Sequence, residues 1–77
     1  MLRNLVSESS LINSEGYNPD MQILEIQFKN NGRIYQYYGI QPSIYYDFKR
    51  SASPGNYLKT FIEQYYAYKE IEYAPDD

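Results

Sequence analysis

The chain has no cysteine, no histidine and no tryptophan, and Val6 is its single valine in 77 residues. Without cysteine there is no disulfide staple and no thiolate, and without histidine the commonest zinc ligand and the usual general base are both missing. Packing alone must hold the fold, and nothing in the composition calls for an oxidising compartment, so a reducing cytoplasm is the expected setting. No apolar run approaches the roughly 18 residues of a membrane-spanning helix, and Met1 to Ser10 has neither the basic start nor the apolar stretch of a secretory leader. No membrane partner and no cofactor are expected. Nor is catalysis: the serines have no histidine to activate them, and Glu25, Asp47 and Glu63 stand singly on separate elements rather than as a carboxylate pair or a metal set.

What the chain has in excess is tyrosine, eleven in all, two of them in the central Tyr35-Gln36-Tyr37. A phenol can bury its ring in a core or present an amphipathic surface to a partner. A chain of this length buries about two thirds of its unfolded surface, enough for one modest core. One domain over residues 1–77 is expected, with its core at about 6–66 and an acidic tail at 67–77. Net charge is −3, unevenly spread. Residues 21–62 are net basic through Lys29, Arg33, Lys49, Arg50 and Lys59, whereas residues 63–77 set Lys69 against Glu63, Glu70, Glu72, Asp76 and Asp77.

Leu11 to Tyr17 reads as a short strand that closes at Gly16 and enters the turn-forming Asn18-Pro19-Asp20. Leu24, Ile26 and Phe28 alternate with Glu25 and Gln27, the period of a strand with one buried face. Asn30-Asn31-Gly32 is a hairpin signal of the type I′ kind, in which both central residues take positive φ, and Arg33 to Gly39 is the partner strand. Its faces are Ile34, Gln36, Tyr38 and Tyr35, Tyr37, Gly39. Pro42 opens a helix that carries Ile44, Tyr45 and Phe48 as far as Arg50, and Ser53-Pro54 starts a second one. There Leu58, Phe61, Ile62 and Tyr65 fall at helical spacing and predict a stripe across the sheet. Beyond Tyr66 the pattern reads as a frayed helix end or a loose strand, and Pro75-Asp76-Asp77 extends no element. The expected architecture is an α+β fold, a small antiparallel three-stranded meander followed by two helices on one sheet face. Leu24, Ile26, Phe28, Ile34, Phe48, Leu58, Phe61, Ile62 and Tyr65 are its expected core.

Ser9-Ser10, Gly16-Tyr17, Leu24, Phe28, Gly32, Tyr35-Gln36-Tyr37, Ile40, Pro42, Tyr45, Ser53, Gly55, Tyr57 and Ile62, taken in order, resemble the pattern of the KTSC domain over roughly Val6 to Tyr66. That family takes its name from the C-terminus of some lysyl-tRNA synthetases and also occurs as small stand-alone bacterial and phage proteins. The resemblance implies no established activity, and the synthetase context suggests contact with RNA.

The residues point to two kinds of partner. Surplus tyrosines are the anchors enriched in protein interfaces, which predicts a non-catalytic module that binds a protein partner or itself. The alternative is RNA or single-stranded nucleic acid, with Tyr35 and Tyr37 stacking bases beside Arg33 on one strand face. Lys49, Arg50 and Lys59 would then clamp phosphates near the start of the second helix, beside the amides of Gly55 and Asn56. These six side chains, Arg33, Tyr35, Tyr37, Lys49, Arg50 and Lys59, are the candidate binding residues.

Overall fold

A computed structural model describes residues 1–72. Five antiparallel strands lie in chain order: β1 (Asn4–Leu5), β2 (Ile12–Asn18), β3 (Ile23–Phe28), β4 (Ile34–Tyr38) and β5 (Tyr68–Ile71). Two helices, α1 (Pro42–Arg50) and α2 (Pro54–Tyr57), stand between β4 and β5, and α2 runs on into a π-helical turn at Leu58–Ile62. The class is α+β, as expected, but the sheet has five strands where three were expected. β1 escapes sequence reading because two residues carry no period. β5 is the loose strand, not the frayed helix end, of the two readings beyond Tyr66; Tyr68, Lys69 and Glu70 are all exposed, so no buried alternation marks it as part of the sheet. The acidic stretch beyond Tyr66 thus contains an edge strand, and its remainder with Pro75-Asp76-Asp77 lies outside the described residues.

The β2–β3 turn is fixed by Asn18, whose Oδ1 accepts from the amides of Asp20 and Met21 at 3.0 and 3.1 Å. Beyond it Gln22 takes a φ of 56°. The β3–β4 turn is not type I′. Only Gly32 has positive φ there, the Gly32 amide donates to the Phe28 carbonyl, and Asn31 Oδ1 accepts from the Arg33 amide at 2.9 Å. Asn31 acts by its side chain and leaves the left-handed position to glycine. Gly16 does not close its strand either. It sits within β2, where only glycine fits because a Cβ would collide with the carbonyl oxygen of Leu2, which crosses above it.

Register decides the faces. Leu24 pairs with Tyr37 and Ile26 with Tyr35, so both tyrosines share the helix-covered face with Leu24 and Ile26. Ile34, opposite Gln27, is buried on the other face, outside the cluster under the helices. A bulge between Ile12 and Ser14 resets the alternation of β2, which lets Ile12, Glu15 and Tyr17 all point toward the helices. The core there is Ile12, Leu24, Ile26, Tyr37, Ile40, Phe48, Leu58 and Ile62. Phe61 and Tyr65, expected in it, are 55% and 73% exposed. The π-turn is the reason: the Glu63 amide donates to the Leu58 carbonyl across five residues, which widens the turn by one residue. Leu58 and Ile62 keep to the sheet while Phe61 swings out. No helix among the described residues is long and apolar enough to cross a membrane.

Candidate binding cleft

β4 and β5 pair so that Tyr68 stands opposite Tyr37, and Tyr68 therefore joins the helix-side face of the sheet. Ring centroids of Tyr68 lie 5.6 Å from both Tyr35 and Tyr37, those two rings are 6.5 Å apart, and Phe28 meets Tyr35 edge-on at 5.5 Å. Tyr37 is buried beneath this group, Tyr35 is partly buried, and Tyr68 is exposed. The four rings line a cleft of about 220 Å³ between the hairpin and the helical segment. Asn30 and Asn31 of the hairpin form one rim, Lys59 and Glu63 of the helical segment the other.

Burial, reinforced by the nearby Glu63 carboxylate and the neighbouring phenols, raises the Tyr37 pKa well above its ordinary value. Its hydroxyl stays protonated. Lys59 has no ion-pair or side-chain hydrogen-bond partner among the described residues. It also borders a second depression, beside Ser53, Gly55 and Asn56. Gly55 is needed there because a Cβ would press on Ser9 Oγ and Leu11 Cβ at 3.2 and 3.1 Å. That same Ser9 oxygen accepts from the amides of Leu11 and Ile12.

Of the six residues singled out by sequence, three come together here: Tyr35, Tyr37 and Lys59. Tyr37 is covered, so the exposed ring at the cleft is Tyr68, from the acidic stretch beyond Tyr66. The other three cations lie elsewhere and are paired. Arg33 reaches Glu70 at 3.8 Å across β5, Arg50 bonds Asp47 at 2.7 Å on α1, and Lys49 bonds Glu15 at 2.8 Å. The basic middle of the chain is therefore not a basic face.

Two buried carboxylates were also missed. Glu15, on the helix-covered face, accepts from Tyr45 Oη at 2.9 Å as well as from Lys49. Burial first, then the Glu15 carboxylate, raises the Tyr45 pKa well above its ordinary value, and the ring stacks on Tyr17 at 4.2 Å. Glu25, on the opposite face, is held by the Arg3 guanidinium and by Gln36 Nε2 at 2.8 Å. Every buried side-chain polar atom among the described residues has a partner. The only sequence signal for these acids is an acid in mid-strand, which ordinarily marks the wet face.

The KTSC domain family matches residues 8–66 of the chain. A crystal structure of a KTSC domain protein from Yersinia pestis superposes with a TM-score of 0.84 at 37% identity, covering 91% of this chain and 96% of that one. Among curated proteins, an "Uncharacterized protein" of Stutzerimonas stutzeri is 31% identical over 72 residues, 92% of this chain and all of its own length. A protein of Tsukamurella paurometabola is 34% identical over 56 residues, 73% of this chain and 82% of that protein.

Proposed function

The chain belongs to the KTSC domain family, and from that premise we propose that it is a non-catalytic binding module that takes a segment of a protein partner into the aromatic cleft. The observation that carries the reading is Tyr68, an exposed ring seated on Tyr35 and Tyr37 at the mouth of a cleft with one cation and one carboxylate on its rim. Such a rim suits a peptide, whose amides meet Asn30 and Asn31 while an apolar or aromatic side chain fills the floor. Exposed Phe61 on the helical segment and Tyr65 in the turn after it add aromatic surface. The same proposal puts the domain in the cytoplasm, supported by a chain without cysteines.

A second reading, single-stranded RNA or DNA, is favoured by one observation: Lys59, unpaired among the described residues, stands in the same cleft as Tyr35. Phosphate-driven binding needs several cations together, however, and Lys49, Arg50 and Arg33 are occupied by carboxylates while Glu63 sits on the cleft itself. The test is selection of displayed random peptides on the full chain, with Tyr68→Ala as counter-target, in parallel with titration of labelled single-stranded RNA at two salt concentrations. Enriched peptides that lose binding to Tyr68→Ala are expected. No enrichment, together with RNA binding that weakens steeply with salt, would overturn the protein-binding reading in favour of the nucleic-acid one.

A further inference from the structure

The cleft opens at one end of β5, and β5 is the outermost strand on its side of the sheet among the described residues. The Tyr38 amide donates to the Ala67 carbonyl at 2.9 Å, and the register carries that exchange on to Gln36 with Lys69 and Ile34 with Ile71. In an antiparallel ladder the residues between the exchanging pairs turn their N–H and C=O the other way. Tyr68 and Glu70 therefore present their backbone groups at the sheet edge, and it is their side chains that stand on the cleft's side of the sheet. An added strand would bond to those two residues and set its own facing side chains beside Tyr68 and Glu70.

We propose that the partner binds by β-augmentation, as an extended segment antiparallel to β5 with basic side chains opposite Glu70 and Glu72 and an aromatic one opposite Tyr68; this rests on the protein-binding reading above. Charge decides against a second copy of this chain as the occupant. Two β5 strands paired about a two-fold axis must match faces, so the pairing centres on a residue, and the two registers that overlap three of the four strand residues centre on Lys69 or Glu70. Those arrangements put Lys69 on its own copy or Glu70 on its own copy. Like charges directly opposite one another destabilise a sheet pair. A heterologous strand has no such constraint: cations meet Glu70 and Glu72, an acid meets Lys69, and a β-branched residue meets Ile71. Arg33, 3.8 Å from Glu70 and exposed, leaves that carboxylate accessible to a second cation.

The probe is a synthetic peptide with the order Lys-Val-Arg-Glu-Tyr, flanked by threonines and capped at both ends, titrated against the full chain by fluorescence anisotropy. Three partners to it isolate the terms: the charge-reversed Glu-Val-Glu-Lys-Tyr peptide, the parent peptide N-methylated at the Lys, Arg and Tyr amides, and the Glu70→Lys, Glu72→Lys double variant of the protein. The expected result is binding of the parent peptide with each of the first two weaker by about tenfold or more, and an inverted preference in the double variant. Amide exchange at Tyr68 and Glu70 should slow by about tenfold in the complex while that of Lys69, already bonded to β4, changes little. If the parent peptide fails to bind, or binds equally well when N-methylated, or leaves the Tyr68 and Glu70 amides unprotected, the edge-strand proposal is overturned. In that event, selected peptides that still lose binding to Tyr68→Ala would leave the broader module reading intact, whereas salt-sensitive RNA binding with no selected peptides would remove both.

Discussion

The two faces of the sheet each bury one glutamate to 1% exposure, yet they do so by different means. On the helix-covered face Glu15 is met by α1, through Tyr45 and a Lys49 side chain that is itself 45% exposed. On the opposite face there is no helix among the described residues, and Glu25 is sealed by residues 2 and 3: Arg3, with a side chain 5% exposed, also donates to Ser14, while Leu2 lies over Gly16. One carboxylate has a partner that water can reach and replace. The other has a partner locked in place with it. The lesson is that a buried acid's contribution depends less on its own exposure than on that of its counter-ion, because removing a buried partner strands a desolvated charge.

The comparison is broken most severely by emptying the apolar layer that gives the helix-covered face its low dielectric. Phe48→Ala should destabilise the domain by about 3–5 kcal/mol, which for a chain this small means loss of a cooperative urea transition at ambient temperature. On the opposite face, Arg3→Met should cost about 3 kcal/mol, read from the same denaturation curves, since Glu25 is left buried without its cation. An equal and small effect of Arg3→Met and Lys49→Met would end the distinction drawn between the two faces.

Alkaline titration sharpens it. The Tyr37 pKa is raised in the folded state, so its contribution is fully present below the unfolded value of about 10 and is lost as pH rises above it. There the unfolded chain releases a proton that the native one keeps, and stability should fall by about 1.4 kcal/mol per pH unit for each such group. Tyr37→Phe should flatten that fall by between half and one proton's slope between about pH 10 and pH 11, measured as the shift of the urea midpoint; an unchanged slope would contradict the burial of the hydroxyl.

Smaller effects belong to the exposed partners. Lys49→Met should cost about 1 kcal/mol or less, because Tyr45 still donates to Glu15 and water can take the place of the ammonium. Phe61→Ala should change stability by no more than about 0.5 kcal/mol, in contrast to what its helical spacing suggests, and a cost near that of Phe48→Ala would mean that the π-turn does not turn Phe61 outward.

Much of the molecule was set by local chemistry. Alternation in Leu24 to Phe28, the asparagine turns, Pro42 and Ser53-Pro54 determine β3, its hairpin with β4 and the starts of both helices, because each depends on residues within a few positions of one another. The candidate site was legible only in part: Tyr35, Tyr37 and Lys59 do meet, but the place of Tyr68 among them was out of reach, since only pairing with β4 sets that exposed stretch beside Tyr37. Tertiary structure alone decided which face of β4 the helices cover, where a bulge resets β2, how one wide turn expels Phe61, and that Lys49 and Arg3 are the counter-ions of buried glutamates 34 and 22 residues away. The physical reason is common to all four: a side chain's period specifies that it shares a face with its neighbours, while what lies over that face is fixed by segments distant in the chain.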